Sequence, residues 1–196
     1  MQNLKRLTLA IETAIDGGSI SILEGQKEID FWIGENGISK AEDILENISR
    51  LFEANEITKE NIELIVISGD VGSTTGLKIG MATAKGLARS FPSRLFVASL
   101  IDSLIKTVSS DQSSDKSNEF VIVLPVGKNN IFYRYLTGAN QTGASAIVKT
   151  QEFFENLNFE GIIYAHQKII ETQARIELAG KKFVSLGQNM AKVVAV

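Results

Sequence analysis

Cysteine is absent from this 196-residue sequence, and histidine occurs once, at His166. The first absence excludes disulfides, thiolate nucleophiles, iron–sulfur clusters and cysteine-based zinc sites. The second excludes a paired-histidine metal motif, and any Ser-His-Asp chemistry would have to pass through His166. Long apolar runs are missing too. Leu64–Ile67 and Phe120–Val126 are strand-length, whereas a membrane span needs roughly 20 apolar residues. Lys5 and Arg6 precede Leu7–Ile11, but Glu12 ends that run before it reaches the length of a secretory signal. The reading is a cytoplasmic protein. A basic excess is lacking as well. The net charge is -3 and the pI about 5.3, which argues against a general nucleic-acid binder. Residues 1–107 carry 11 basic and 15 acidic side chains, and residues 108–196 carry 9 and 8. With 44% hydrophobic and 22% charged residues, the chain reads as globular, either one medium domain or two small ones.

The polar, Ser-rich stretch 109–118 is the best linker candidate. It predicts an N-terminal lobe over 1–108 and a smaller C-terminal lobe over 119–196. Strands are expected at Leu7–Thr13, Ser19–Leu23, Lys27–Ile33, Ile62–Ser68 and Leu95–Ala98. Asp16-Gly17-Gly18 forms the first hairpin turn, because glycine accepts positive φ at little cost. Helices are expected over 39–54, 75–91 and 99–108, the last opened by Ser99 and Asp102 as a capping box. Beyond the linker, strands at 119–124, 131–136, 144–149, 161–165 and 182–186 alternate with helices at 151–157, 167–178 and 188–194. Both halves follow a β-β-β-α-β-α order, which implies a duplicated α/β architecture of mixed sheets flanked by helices.

Residues 69–89 read GDVGSTTGLKIGMATAKGLAR. A glycine- and hydroxyl-rich turn between a buried strand and a helix can present backbone N–H groups to an anion. A turn whose glycines serve only close packing reads equally well. The whole stretch resembles the signature of the TsaB (YeaZ) family, through Gly72, Ser73, Thr75, Gly76, Ile79, Gly80 and Gly86-Leu87-Ala88. Leu9-Ala10-Ile11-Glu12-Thr13 is similar to that family's opening strand. The resemblance implies duplicated ASKHA (actin, sugar-kinase, Hsp70-like) lobes. It implies a non-catalytic dimerisation subunit that supports threonylcarbamoyl transfer to a tRNA adenosine through a TsaD-type paralogue. That partner would hold the ATP and metal, so no cofactor is expected here, and a TsaE-type ATPase would join the assembly. A homodimer is expected in isolation, with no direct nucleic-acid or membrane binding.

The chain departs from the family pattern in places. Glu12 stands where the family has Asp, Asp70-Val71 fill a Pro-Gly-type position, and Lys40 falls on a family histidine. Pro125-Val126-Gly127 replace an Asp-Ala-Arg. A carboxylate at a helix entrance repels phosphate. Glu12, Thr13, Gly69, Gly72 and Ser73 are therefore expected to be remnants of a nucleotide site, with no catalytic set and no metal site. Weak phosphotransferase activity and a homodimer that has lost its partner remain as alternatives.

On the first helix Ile38, Ala41, Ile44, Leu45, Ile48, Leu51 and Phe52 share one apolar arc. On the second, Leu77, Gly80, Met81, Ala84, Leu87, Ala88 and Phe91 form one apolar arc, and Ile79, Ala82 and Gly86 form a second strip. A helix apolar on two sides is usually buried on two sides. Gly76, Gly80, Ala84 and Ala88 recur every four residues, which lets a neighbouring backbone approach closely. Packing on the chain's own sheet and packing on a partner both fit this spacing, and the family resemblance favours the partner. The expected interface is Ile44, Leu45, Ile48, Gly76, Ile79, Gly80, Ala82, Thr83 and Gly86. His166 is expected to face solvent or to cap a helix.

Overall fold

The computed structural model describes residues 6–34, 42–111, 119–137, 141–173 and 181–195. The chain divides into two compact units, Met1–Ser103 with Asn189–Val196, and Leu104–Gln188. This partition differs from a division into 1–108 and 119–196. The helix α3 (Leu100–Asp111) runs into the stretch read as a linker, and α6 (Met190–Ala195) belongs to the first unit. Residues 112–118 of that stretch, and Ile38, Lys40 and Ala41, lie outside the described residues.

In the first unit β1 (Leu7–Glu12), β2 (Ser19–Glu24) and β3 (Lys27–Ile33) form an antiparallel meander. β4 (Ile62–Ser68) and β5 (Arg94–Ala98) add parallel strands on the other side of β1, giving the order β3-β2-β1-β4-β5. The central strand is covered on both faces, which explains why Leu9, Ala10 and Ile11 are all fully buried and its apolar run is continuous. Leu9, Ile11, Ile65 and Ile67 meet Ile44, Ile48 and Leu51 of α1 (Glu42–Ala54) and Ala84 of α2 (Thr74–Ser90) in one core. Phe52 of α1 meets Phe91, the residue that ends α2, with the rings 6.0 Å apart. Against the strands β1, β2 and β4 packs α6, burying Met190, Ala191 and Val194. Its start is pinned by side chains of β2 and β3: the Ala191 N–H donates to Ser19 Oγ at 2.8 Å, and the Asn189 amide donates to Ser21 Oγ and to Glu28 Oε1 on β3 at 2.8 Å each.

The second unit repeats the plan. β6 (Phe120–Val126), β7 (Asn130–Thr137) and β8 (Gln141–Lys149) are antiparallel neighbours. β9 (Ile162–Ala165) and β10 (Lys182–Ser185) continue in parallel from β6, giving β10-β9-β6-β7-β8. Strand order and sense match the first sheet. With α4 (Thr150–Glu155) and α5 (Gln167–Gln173), the sheet encloses a core of Val121, Val123, Ile131, Phe153, Phe154 and Ile163. Tyr133 and Tyr135 pack into this core beside Phe153 and Phe159.

α2 lies at contact distance from the end of β1. A Cβ on Gly76 would stand 2.2 Å from the Thr13 carbonyl oxygen, and one on Gly80 would stand 2.1 Å from Thr13 Oγ1. Gly86, further along α2, has no neighbour within 4 Å of such an atom. Gly80→Ala should therefore lower stability by about 1–3 kcal/mol through overpacking, while Gly86→Ala should raise it by about 0.5–1 kcal/mol through helix propensity. Thermal denaturation of the two variants reads both signs.

Candidate functional site

At the carboxyl ends of β1 and β4 in the first unit, two short segments interlock. Asp16, Gly17 and Gly18 all have positive φ (35°, 100° and 79°) and turn the chain sharply between β1 and β2. The loop 69–73 leads from β4 into α2 and docks on that turn, with the Ser73 N–H donating to the Ala14 carbonyl at 2.9 Å. Gly72, at φ 128°, fits against Ala14, where a Cβ would sit 2.4 Å from the Ala14 Cβ. Ser73 caps α2 by accepting the Gly76 N–H at 3.0 Å, and Thr13 Oγ1 donates to the Gly76 carbonyl at 2.8 Å. Gly69 stands at the other side of the loop, where a Cβ would meet Val97 at 2.4 Å.

Glu12 lies beneath the turn with no exposure to solvent. Its Oε1 accepts the backbone N–H groups of Ala14 and Ile15, the latter at 3.0 Å. Burial pushes its pKa up to about 8, against the lowering effect of those N–H groups. The other carboxyl oxygen has no hydrogen-bond partner, and neither does the buried Ser68 Oγ. Glu12 pairs with Ser19 on β2, and the β1–β4 register ends at Ile11 and Ile67, one step before Glu12 and Ser68. Ser19, Glu12 and Ser68 thus form a buried polar row across three strands. The sequence reading missed Ser68, whose only signal is a hydroxyl that ends the apolar run Leu64–Ile67.

Asp70 does not face an open phosphate cradle. Its Oδ1 accepts the Leu100 N–H at 2.8 Å and the Val71 N–H at 3.0 Å, and its Oδ2 accepts the Ser99 hydroxyl at 2.6 Å. The carboxylate caps α3 from a neighbouring loop. Ser99 Oγ in turn accepts the Asp102 N–H at 3.1 Å, so the capping role read for Ser99 holds.

These residues do not fit a metal–nucleotide complex. The loop amides of Ala14 and Ile15 are bonded to Glu12, that carboxyl is sealed from solvent, and the nearby Asp70 is held by α3. Among the described residues no group of three or more His, Asp or Glu could hold a metal ion.

The expected interface splits in two. Ile44 and Ile48 are 1% and 3% exposed within the chain's own core, and Gly76 and Gly80 are buried against Thr13. These four cannot face a partner; the small residues serve the chain's own sheet. The remaining five differ. Leu45 is 52% exposed, Ala82 and Gly86 are exposed, and Ile79 and Thr83 are half-buried. Beside them the exposed α2 positions Lys78, Lys85 and Arg89 form a basic edge, and α1 shows Glu46 and Glu53. His166, in the second unit, is buried rather than solvent-facing. It starts α5, with its carbonyl accepting the Ile169 N–H at 2.9 Å and its Nδ1 accepting the Lys168 N–H at 3.3 Å.

A family model described as TsaD, tRNA N6-adenosine threonylcarbamoyltransferase, matches residues 39–195. None of the curated proteins matches the sequence. Among solved structures, YeaZ from Pseudomonas aeruginosa superposes with a TM-score of 0.62 at 12% identity, over 97% of this chain and 90% of that one. A Bacteroides thetaiotaomicron protein with an actin-like ATPase fold and unknown function gives 0.50 at 14% identity, over 97% and 95%. The Clostridium difficile activator of 2-hydroxyisocaproyl-CoA dehydratase, solved with bound ADPNP, gives 0.52 at 9% identity, over 96% and 91%. At these identities the likeness is one of fold: duplicated ASKHA-type lobes, as the TsaB resemblance implied. Among the described residues no helix is long and apolar enough to cross a membrane.

Glu12 generates a pH-dependence with a definite sign. Its folded pKa of about 8 exceeds the ordinary 4.5, so the folded state keeps a proton that the unfolded chain has released. The corresponding stability is full below about pH 4.5 and is lost as pH rises through about 8. Glu12→Gln should flatten the fall in melting temperature over that window, which a pH series of thermal melts reads directly. Asp70→Ala should cost about 0.5–2 kcal/mol by uncapping α3, measured by urea denaturation at neutral pH.

Proposed function

The chain belongs to the TsaD family, tRNA N6-adenosine threonylcarbamoyltransferase, and from that membership we propose that it serves tRNA modification as a non-catalytic scaffold. In this reading a TsaD-type paralogue carries the ATP, the metal and the threonylcarbamoyl transfer, and a TsaE-type ATPase joins them in the cytoplasm. The observation that carries the reading is the inward-turned Glu12, whose carboxyl occupies the loop amides of Ala14 and Ile15. A subunit that handled nucleotide at this turn would need those donors and that carboxylate free. The fold shared with YeaZ supports the same role.

The partner surface in this proposal is the outer side of α1 and α2. It keeps Leu45, Ile79, Ala82, Thr83 and Gly86 from the expected set and leaves out Ile44, Ile48, Gly76 and Gly80. Ala82 presents only a methyl group and Gly86 no side chain at all, so a partner helix can lie close. Lys78, Lys85 and Arg89 would meet acidic groups across the contact, each exposed pair adding roughly 0–1 kcal/mol and so tuning partner choice more than affinity. The same face would mediate a homodimer in isolation.

Ala82→Glu tests the proposal. Ala82 is exposed, so the variant should fold and melt like the parent. Its association with a TsaD-type partner, and with itself, should fall at least about tenfold, because a charge forced into an apolar contact loses hydration without a partner. Light scattering after size-exclusion chromatography reads the mass. An unchanged complex would place the contact elsewhere. Micromolar ATP binding with magnesium, measured by calorimetry on the isolated chain, would instead favour an active phosphotransferase.

A further inference from the structure

The scaffold reading gives α6 no role, yet this helix covers the sheet face that holds the buried polar row. Residues directly opposed on antiparallel strands place their side chains on one face of the sheet. Glu12 is opposed by Ser19, whose Oγ accepts the Ala191 N–H of α6. The Glu12 carboxyl therefore belongs to the α6 face. α1 and α2 pack on the other face, against the alternate residues Leu9 and Ile11.

α6 is a light cover. It has six residues and buries three of them, Met190, Ala191 and Val194. Its polar ties are the Ala191 and Asn189 bonds and a Lys192–Glu28 ion pair at 3.3 Å, with Lys192 half-exposed. The chain reaches it through Gln188 alone, because Gly187 is bonded to Ser185 and Gln167 while Asn189 is already bonded to Ser21. Gly187, at φ 76° with no neighbour within 4 Å of a Cβ, leaves that joint room to swing. The turn side is closed more firmly. Ser73 bonds Ala14, Gly72 fits against it, and α2 sits on Thr13 at contact distance. What the cover encloses is unfavourable. Glu12 Oε1 accepts two backbone N–H groups, so the proton of the neutral acid sits on Oε2. Neither that oxygen nor Ser68 Oγ has a partner, and water reaching them would recover the lost hydrogen bonds.

We propose that α6 is a strap that lifts from the first sheet while the sheet stays folded, and that its lifting releases the Glu12 proton to solvent. The step is an acid dissociation: the O–H bond at Oε2 breaks, its electron pair stays on the carboxylate, and water takes the proton. The closed strap holds the pKa at about 8, against 4.5 for a solvated carboxyl. Lifting is therefore hardest below about pH 4.5, eases as pH rises, and levels off above about 8. The shift comes from burial, opposed by the backbone N–H groups of Ala14, Ile15 and Thr13, with no charged side chain among its causes. The charged groups on the surrounding elements are engaged or distant. Asp70 caps α3, Lys192 pairs with Glu28, and Glu63 pairs with Arg6 and Arg94. Asp16 in the turn has a partner of its own. Glu24 and Asp102 are exposed, and Lys78 is exposed on α2, across the sheet.

The test is amide hydrogen exchange of the full chain, followed by NMR from about pH 6 to about pH 9. The Ala191 N–H reports the strap, since it donates to Ser19 only while α6 lies on β2. The Ile11 N–H, in the central strand, reports opening of the whole unit. Dividing each rate by that of an unstructured amide at the same pH gives an opening constant. At Ala191 it should rise about tenfold per pH unit and flatten above about pH 8. It should exceed the constant at Ile11 at least about a hundredfold. Glu12→Gln should reduce the change at Ala191 to less than about twofold over the same range. Asn189→Ala, which loosens the strap without touching the acid, should raise the constant at least about threefold at every pH and keep the slope. A thermal melt of each variant confirms that it is folded. An Ala191 constant independent of pH, a slope that survives Glu12→Gln, or opening at Ala191 no more frequent than at Ile11 would each overturn the proposal. The first and third of these need only the parent chain. No partner enters the measurement, so its failure leaves the scaffold reading standing.

Discussion

The approach of α2 to the end of β1 sets the geometry of the first unit. Thr13 presents its carbonyl to Gly76 and its hydroxyl to both Gly76 and Gly80, at distances that leave no room for a side chain. That contact fixes the height of α2 above the sheet. It also fixes where the helix starts, and therefore where loop 69–73 meets Ala14. Once the loop is docked, the turn after β1 has little freedom, and the Glu12 carboxyl beneath it is sealed from water. A larger residue at Gly76 or Gly80 would lift the helix and reopen the enclosure. The buried acid, the capped helix and the docked loop are consequences of one close approach.

Much of this was legible in the sequence. The continuous apolar run 64–67, the Asp-Gly-Gly turn and the repeated β-β-β-α-β-α order place the strands of both sheets within a few residues of their observed ends. The attribution of Gly76 and Gly80 was not legible, for a physical reason. A small residue every fourth position signals that some backbone comes close, and the signal is the same whether that backbone belongs to the chain's own β1 or to another molecule. Ile44 and Leu45 show the same limit at one-residue resolution. They are adjacent in the apolar arc of α1, yet the first is 1% exposed and the second 52%. An arc wider than the contact it makes leaves its edge outside, and which edge stays outside depends on the helix's tilt. Asp70 was read as an obstacle to phosphate, but its partners Ser99 and Leu100 lie some thirty residues on and only the fold brings them together.

The two units share strand order and sense but not surface chemistry. In the first, the hairpin turn beside the central strand folds over a carboxyl that its own amides satisfy. In the second, the equivalent turn carries Lys128 and opens onto a cleft edged by two further lysines. Duplication of a backbone plan therefore left each copy free to acquire a separate character at its turn, because the turn lies outside the packed core that both copies must keep.

The placement of α6 bears on how the protein is made. Its residues follow the whole second unit in the chain, yet they close the first sheet, and the Ala191 N–H is the group that satisfies Ser19. During synthesis the strands β1 to β5 can pair early, but one face of that sheet stays open until the residues beyond 188 emerge. The first unit is thus finished last. Its completion certifies that the intervening unit has been made in full, and a chain interrupted anywhere before α6 carries an exposed apolar sheet face by which quality-control machinery can recognise it.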